Sequence, residues 1–269
     1  MQTTEFRDIV WDYYAKHGRD LLWRQPEANG SFDPYKILVS EIMLQQTQVT
    51  RVTQKYVEFL NAFPSVSHLA SASLGDVLRL WSGLGYNRRA KFLWQAANKL
   101  VSEYGGQFPS SQKELVGLPG VGVNTAGAIC AYAFNQPVVF IETNVRTAYI
   151  HHFFADRHDV HDKELVPLIK QTVDKENPRE WYWALMDYGS FLKTTVGNVS
   201  RSSKHYTKQS TFEGSKRQIR GQVLKLLSSG QLSQAELTAK ILDDRLASVL
   251  EDLQKEELIL RDNKGYQLA

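Results

Sequence analysis

Apolar residues recur at three-and-four spacing through eight successive segments of the first 192 residues, and this period constrains the fold more than any other feature of the sequence. Gly, Pro, Asn and Ser punctuate the segments, as they do between short helices. Because strand and helix patterns do not alternate, a doubly wound sheet is excluded and we predict an all-α fold. A chain of 269 residues is long enough for one large domain or for two.

The helical period is lost after residue 193, and a different pattern of short helices begins after residue 215. Residues 194–215 are rich in Ser, Thr, Gly and Lys, which is typical of a linker or an extended basic arm. Residues 216–269 indicate three short helices and a hairpin that turns at Asn263–Gly265, the order of a winged helix. We therefore predict three regions: residues 1–193, 194–215 and 216–269. Four acids and one arginine precede Lys255 in the third of these helices, which disfavours DNA reading by that helix.

The charge of the chain is unevenly distributed. The net charge is only +3, but from Lys193 to Arg220 there are seven basic residues against one acid, which suits a surface that faces phosphates. No apolar run approaches the ~20 residues of a membrane span. Cys130 is the only cysteine, so neither an internal disulfide nor an all-cysteine metal cage can form. We expect a soluble protein of a reducing compartment, which is the cytoplasm and nucleoid in a prokaryote.

The segment LPGVGVNTAGAI, residues 118–129, is typical of a tight hairpin between two helices. Its proline and paired glycines permit the turn, and Thr125 and Ala126 are expected to open the second helix with exposed backbone N–H groups. Such a helix N-terminus binds phosphate, because its N–H dipoles converge and no Cβ blocks the approach. Taken alone, the segment also fits an ordinary corner between two helices.

Together with the acid in VVFIETNV, residues 138–145, this hairpin resembles the helix-hairpin-helix DNA glycosylase superfamily. Three further segments resemble its MutY-type adenine glycosylases: DPYKILVSEIMLQQTQV (33–49), LWSGLGYNRRAK (80–91) and WALMDYG (183–189). The resemblance runs in order from about residue 11 to residue 192. It implies a two-lobed helical HhH-GPD fold that binds double-stranded DNA with a mismatched or damaged base. We expect a monomer with no membrane partner.

Two glutamates acquire catalytic roles through this resemblance. Hydrolysis of an N-glycosidic bond requires a proton on the departing base and negative charge near an oxocarbenium-like sugar, which two carboxyls can supply. Glu41 lies in an apolar helix, which favours its neutral form and a role as proton donor. Glu142 falls where the family has a sugar-facing aspartate, and Asn144 is expected to orient it by hydrogen bonding. Glutamate is longer than aspartate by one C–C bond, roughly 1.5 Å.

The segment GRDLLWR resembles the family's lining of the adenine pocket, through Arg19, Trp23 and Arg24. Asn124 stands where bifunctional relatives resembling endonuclease III have a lysine that forms a Schiff base. Because asparagine cannot form one, we predict base removal without strand cleavage, with Asn124 in the pocket wall.

Base removal from a duplex also requires extrusion of the nucleotide. Gln45 and Gln46, at the end of the Glu41 helix, match residues with which the family probes the base stack, and Tyr86 matches its intercalating aromatic. Core packing is the alternative for Tyr86 and Trp23. Further DNA contacts are expected from Arg88, Leu118, Gly120, Gly122, Thr125, Arg201, Lys204 and Lys208.

Most relatives carry a four-cysteine iron-sulfur loop after the segment that matches WALMDYGSFLK, and here Lys193 replaces its first cysteine. We therefore expect no cluster, and we expect the basic arm to supply phosphate contacts in its place. No other cofactor is expected, although a monovalent cation at the hairpin is compatible with the resemblance. The histidines of residues 151–161 lack the geometry of a metal site.

Three alternatives to adenine removal remain open. A glycosylase for G:T or G:U mismatches would keep the fold, but QQTQ after Glu41 resembles the adenine branch. A base-flipping deaminase would let Glu142 direct water at the base, although the zinc deaminase signature is absent. A non-catalytic lesion binder would need neither acid. Residues 216–269 are too short and too helical for the Nudix-like domain with which adenine glycosylases inspect 8-oxoguanine, so the opposing base stays open.

Overall fold

The computed structural model describes all 269 residues, Met1–Ala269, and confirms the predicted all-α class, with one small hairpin of strands. No helix combines the length and the apolar composition that crossing a membrane requires. The helices are α1 (Thr3–His17), α2 (Pro34–Leu44), α3 (Val49–Ala62), α4 (Val66–Ser71), α5 (Leu74–Trp81), α6 (Arg88–Tyr104), α7 (Gln112–Leu115), α8 (Val123–Phe134), α9 (Thr143–Phe153), α10 (Asp162–Thr172), α11 (Pro178–Thr195), α12 (Lys216–Leu227), α13 (Gln234–Lys240) and α14 (Leu246–Lys255), and the strands are β1 (Ile259–Asp262) and β2 (Gly265–Leu268).

The chain forms two compact units, and each is assembled from segments that are distant in sequence. The first unit contains residues 1–38, 110–116 and 121–208, and the second contains residues 39–109, 117–120 and 209–269. The predicted winged-helix segment therefore shares a compact unit with α3 to α6, instead of standing apart.

Helix α11 is the centre of the first unit and packs against α1, α8 and α9. It begins with Pro178, which is tolerated in the first turn of a helix because the missing N–H has no intrahelical acceptor there. The aromatic rings of Phe140 and Tyr182 stack with their centroids 4.0 Å apart. A Cβ on Gly127 would lie 2.6 Å from the Cβ of Phe140, so the absence of a side chain at Gly127 lets α8 approach this pair.

A buried carboxylate ties α11 to the chain that follows α1. Asp187 of α11 accepts two hydrogen bonds of 2.8 Å from the Arg24 guanidinium and further bonds from the backbone N–H and the Nε of Arg19. Burial raises the pKa of Asp187, but the hydrogen bonds and charges of the two arginines outweigh it, so the net shift is downward. The ion pair therefore contributes stability at neutral pH, which is lost when the pH falls through the depressed pKa.

The second unit joins α3 to α6 with the C-terminal helices and the hairpin. β1 and β2 pair antiparallel, with Ile259 opposite Leu268 and Asp262 opposite Gly265, so the predicted hairpin is present. The Lys91 ammonium donates to the carbonyl of Glu256 at 2.8 Å, which links α6 to the end of α14. The helices α12, α13 and α14 followed by β1 and β2 have the order expected of a winged helix.

Three predicted element limits differ from the structure. Helix α2 ends at Leu44, because Gln46 has a left-handed backbone with φ of 54° that a helix cannot contain. Helix α8 begins at Val123, two residues before the predicted opening at Thr125. Helix α11 runs to Thr195, past the predicted boundary at residue 193.

The predicted basic arm, residues 194–215, is in part a folded element of the first unit. Val199–Ser202 form a 3-10 turn, and a parallel bridge joins Ser203 to Val160. Ser200 and Ser203 are buried. The turn packs against α9, which fixes the backbone where a free linker was expected.

We predict that Asp187→Asn destabilises the protein by about 3 to 5 kcal/mol, because it leaves the buried Arg24 guanidinium without a counter-charge. Asp12→Asn is the matched control, since its ion pair with Lys16 is largely exposed and should contribute about 0.5 kcal/mol or less. Urea unfolding of both variants measures the difference. Equal, small effects would show that the Asp187 cluster is not an anchor.

Candidate active site and DNA-contacting residues

Glu142 is the N-cap residue of α9 and is half-buried. Burial raises the pKa of its carboxyl, and the charge of Arg146 lowers it by a smaller amount. Asp162 holds Arg146 through two hydrogen bonds of 2.8 Å, so much of the Arg146 charge is already neutralised. The Glu142 carboxyl therefore keeps its proton to a higher pH than an ordinary glutamate does.

Asn124 fixes the backbone immediately before Glu142. Its Nδ2 donates to the carbonyl oxygen of Ile141 at 3.0 Å, and the Ile141 N–H donates to its Oδ1 at 3.1 Å. Both ends of the amide are thus engaged by one residue of the extended segment that leads into α9. The structure gives Asn124 a positioning role, and its place in a pocket wall stays a prediction.

The first turn of α9 is held by close contact with α11. A Cβ on Gly189 would lie only 2.1 Å from the carbonyl oxygen of Asn144, so only glycine allows the two helices to approach this closely. The Asn144 carboxamide forms no hydrogen bond with Glu142, in contrast to the prediction, because residues two apart at a helix start do not face each other. Asn144 instead marks where α11 contacts the backbone next to Glu142.

The predicted base-pocket residues Trp23 and Arg24 belong to the core of the first unit. They are 6% and 8% exposed, and the Arg24 guanidinium lies over the Trp183 ring at 5.4 Å. For Trp23, core packing was the open alternative, and burial favours it. Arg19 is the exception, because 34% of its side chain remains exposed beside Asp187. Among these three residues, Arg19 is the one that can reach a ligand from the surface.

Glu41 lies in the second unit, in the last turns of α2, and is half-buried. Its neighbours Ser40 and Ile42 are each 1% exposed, as expected for the apolar helix around it. The carboxyl end of a helix carries negative partial charge. Glu41 therefore lies near the negative end of the α2 dipole.

Two turns of the second unit, which follow α2 and α5, are held by the buried guanidinium of Arg89. Burial lowers the pKa of Arg89 to about 10, so the group remains charged at neutral pH. No carboxylate pairs with it, and oxygen atoms from the end of α2 and from the two turns accept its hydrogen bonds. The acceptors are the carbonyls of Ile42, Met43, Gln45, Leu84 and Gly85 and the hydroxyl of Thr47, at 2.6 to 3.3 Å.

Each of these turns presents one predicted DNA-probing side chain from a left-handed backbone. Gln46 has φ of 54° and Tyr86 has φ of 48°, a conformation that non-glycine residues adopt rarely and that clusters at functional sites. Gln45 and Gln46 therefore lie in the turn and not on the helix end as predicted. Tyr86 is half-exposed at the wall of a cleft of about 1440 Å³, so it is not a core residue.

Residues from the C-terminal part of the chain contact Tyr86 in this cleft. The Arg217 guanidinium donates to the Tyr86 hydroxyl at 2.5 Å and lies 5.5 Å from its ring centroid. The Gln209 amide contacts the same hydroxyl and donates to Gln46 Oε1 at 3.4 Å. The sequence signal for these contacts was limited to a basic stretch, so Gln209 and Arg217 were not predicted as partners of Tyr86.

The two glycines of the predicted hairpin, Gly120 and Gly122, have different structural roles and lie in different units. In the second unit, Gly120 has φ of 76°, and a Cβ there would lie 2.7 Å from the Cβ of Phe92, while Leu118 is buried. In the first unit, the exposed Gly122 is the N-cap of α8. Thr125 is buried, and the Ala126 N–H donates to the carbonyl of Gly122 at 2.8 Å, so Ala126 does not offer the free N–H that was predicted.

The predicted basic contacts are available at the surface. Arg88, Arg201, Lys204 and Lys208 are exposed. None of the four forms an ion pair, although the Arg88 guanidinium lies 5.6 Å from the Phe92 ring. Their charges are therefore free to meet phosphates.

The histidine-rich segment and the cysteine have structural uses. His152 bonds to the Tyr188 hydroxyl at 2.7 Å, and burial lowers its pKa to about 4, while His161 caps α10. No group of three or more His, Cys, Asp or Glu side chains is arranged to hold a metal. Cys130 is buried, and burial raises the pKa of its thiol to about 11. One such thiol does not fit an iron-sulfur cluster, which needs several thiolates.

Comparison with known proteins places this arrangement in a family. A model described as "HhH-GPD superfamily base excision DNA repair protein" matches residues 39–171. The adenine DNA glycosylase of Mycobacterium tuberculosis (strain ATCC 25618 / H37Rv) is 32% identical over 280 residues, which cover 96% of this chain and 90% of that protein. This chain belongs to the HhH-GPD superfamily.

Other HhH-GPD relatives are longer than this chain. The adenine DNA glycosylase of Buchnera aphidicola subsp. Baizongia pistaciae (strain Bp) is 32% identical over 79% of this chain, which spans 62% of that protein. The adenine DNA glycosylase of Mus musculus is 35% identical over 88% of this chain, which spans 47% of it. A solved thermostable thymine-DNA glycosylase matches with a TM-score of 0.62 and 24% identity, over 70% of this chain and 86% of that one. The structural match shows a shared fold.

We predict that Gly189→Ala destabilises the protein by about 1 to 3 kcal/mol, because the new methyl group would overlap backbone atoms of Asn144. Gly221→Ala is the matched control, since it is also a helical glycine but has no atom within 4 Å of the added Cβ. Helix propensity should make the control neutral or up to about 1 kcal/mol more stable. Thermal unfolding of both variants checks the difference, and a neutral Gly189→Ala would contradict the close contact.

Proposed function

We propose that this protein is a monofunctional DNA glycosylase that flips a mispaired adenine out of duplex DNA and hydrolyses its N-glycosidic bond. The observation that carries the proposal is the Glu142 carboxyl, which begins α9 on a backbone fixed by Asn124 and Gly189, with its pKa raised by burial. Burial of a carboxyl whose charged form is disfavoured is typical of catalytic sites. The adenine-specific relatives supply the choice of base.

Glu41 and Glu142 have different roles in the proposed reaction. Glu41, near the negative end of α2, protonates the departing adenine, which relieves the charge that builds on the base. Ionised Glu142 stabilises the positive charge that develops on the sugar, and water then completes the hydrolysis. The rate should fall as the pH drops through the raised pKa of Glu142, since protonation removes its charge.

The proposed enzyme leaves the DNA strand intact. Strand cleavage by relatives of endonuclease III requires an amine nucleophile. The amide of Asn124 is not one, and both of its ends are engaged by Ile141. The product is therefore an abasic site that breaks only on treatment with alkali.

DNA handling is assigned to surfaces of both units. Gln46 and Tyr86 probe and fill the stack from their left-handed turns, and the exposed N-terminus of α8 at Gly122 takes a phosphate. Arg201 and Lys204 on the folded arm add phosphate contacts. We propose that a monomer does this without an iron-sulfur cluster, and the absence of bound iron in purified active protein would support that part.

The test of function is a panel of labelled duplexes that carry A, T, U or hypoxanthine opposite each normal base and 8-oxoguanine. Free adenine and an alkali-labile strand support the proposal. Release of thymine or uracil would instead indicate a G:T or G:U mismatch glycosylase, and a one-dalton change of the strand would indicate a deaminase. Tight binding with neither change would indicate a non-catalytic binder.

We predict that Glu142→Gln lowers the single-turnover rate of adenine release by at least about 10²-fold while raising the melting temperature at neutral pH. The stability gain follows from the raised pKa, because the folded state binds more protons than the unfolded state above the ordinary pKa, so ionisation of Glu142 weakens the fold. The gain should disappear at pH values below that ordinary pKa.

Glu58→Gln is the control for this variant. Glu58 of α3 is half-exposed, and its pKa is lowered by a hydrogen bond from Lys55, so its shift has the opposite sign. Base release should be unchanged and the melting temperature should not rise. A Glu142→Gln variant that retains full activity, or that loses stability at neutral pH, would make Glu142 a structural residue.

A further inference from the structure

The third helix of the C-terminal segment is poorly suited to face DNA. It contains two acids: Glu251 is exposed, and Asp252 is 3.6 Å from the Lys216 ammonium of α12. Glu256, just past the helix end, is 2.5 Å from the Arg220 guanidinium. Lys255 is the only basic residue within α14. A helix that contacts phosphates needs cations on its accessible face, and α14 offers one at its end.

The first helix of the segment, α12, has the opposite character. Arg217, Arg220 and Lys225 of α12 line the cleft that contains Tyr86. Lys225 is exposed and forms no ion pair. Arg51 and Arg88 line the same cleft and are also exposed and unpaired. The cleft therefore concentrates positive charge, while Glu256 is the one acid among its lining residues and is paired with Arg220.

Helix α12 directly contacts Tyr86, the side chain proposed to enter the DNA base stack. Arg217 holds the Tyr86 hydroxyl and also donates to the carbonyl of Ser210 at 2.6 Å, which fixes the segment before α12 along the same cleft. The C-terminal segment thus contacts Tyr86 directly and is not a separate attachment. An aromatic ring and amide side chains among unpaired cations suit nucleic acid, whose bases stack and whose backbone is anionic.

We propose that the C-terminal segment binds the phosphate backbone of duplex DNA through α12, in the cleft that contains Tyr86, while α14 stays off the DNA. This surface rests on the proposed function for its choice of partner. Lys225, Arg51 and Arg88 each neutralise a phosphate beside the probed base pair. The arrangement departs from the usual docking of a winged helix, in which the third helix enters a groove.

Lys225→Ala and Lys255→Ala test the proposal as a matched pair. Both remove one lysine charge from the same C-terminal segment, the first from the cleft wall of α12 and the second from α14. The dissociation constant is measured at several salt concentrations with the full chain and a duplex that carries a non-cleavable deoxyadenosine analogue. Lys225→Ala should reduce the slope of log K against log salt by about 0.9 and weaken binding severalfold, because one counterion fewer is released. Lys255→Ala should match the wild type.

Each outcome decides the proposal. A Lys225→Ala slope equal to that of the wild type, or a reduced slope for Lys255→Ala, would overturn it, provided that both variants melt at the wild-type temperature. Arg51→Ala provides a second variant, from α3, with the same expected loss of slope. Because binding is measured without base release, a failure of the α12 surface can be distinguished from a failure of the glycosylase function. Wild-type protein that releases no base but shows the Lys225 effect would reject only the glycosylase function, and base release with no Lys225 effect would reject only this surface.

Discussion

A buried arginine without a carboxylate partner holds the part of the molecule that carries the proposed DNA-probing residues. Arg89 donates only to oxygen atoms at the end of α2 and in the turns after α2 and α5, and it lies 5.4 Å from the centroid of the Trp81 ring. The carbonyls at the end of α2 carry the negative charge of the helix dipole, so they serve in place of an anion. Since those carbonyls have few other donors, removal of Arg89 would leave both the turns and the left-handed Gln46 and Tyr86 unsupported.

In the first unit, the backbone around Glu142 is fixed by uncharged residues and not by a buried arginine. Asn124 fixes the residue before it, and Gly189 lets α11 lie against the residue two positions after it. The carboxyl itself receives no hydrogen bond as a helix cap, although the N-cap is a position where a carboxylate could satisfy one. A side chain held by its backbone but left without a partner of its own is available for a substrate. This is the physical reason to treat Glu142 as a working group and not as a structural one.

Much of this arrangement was accessible from sequence because it follows from local periodicity. The three-and-four spacing predicted the helices, and the glycine-rich turn predicted the hairpin before α8. Contacts between residues far apart in sequence were not accessible. Arg88 and Arg89 are adjacent in sequence, but Arg88 is exposed and Arg89 is buried. The two differ because Arg89 binds carbonyls that are distant in sequence, which the sequence does not reveal. Gly189 lies in a helical segment, where sequence alone does not reveal that another backbone lies 2.1 Å from its missing Cβ.

The limits of helices were predicted less well, for a related reason. The sequence predicts one helical segment that runs on through Gln45–Gln48. In the structure Arg89 binds the carbonyls of Ile42 and Met43 at the end of α2, and Gln46 takes up a left-handed turn. The basic arm has no helical period in its sequence, yet part of it packs on the first unit. This part is held by a bridge between Ser203 and Val160 and by the burial of Ser200 and Ser203. Neither effect has a periodic signature, since both come from tertiary contacts that override local preference.

Glu142 is proposed to act on the sugar, and its backbone is held at a distance that requires the length of a glutamate side chain. Glu142→Asp tests this most directly. Asn124 and Gly189 hold the backbone, so an aspartate carboxyl would fall short by roughly 1.5 Å, the length of one C–C bond. A misplacement of about 1 Å can lower a rate by about 10². We predict that single-turnover adenine release falls about 10²-fold in Glu142→Asp, with DNA binding unchanged. A variant with aspartate that equals or exceeds the wild-type rate would contradict the claim.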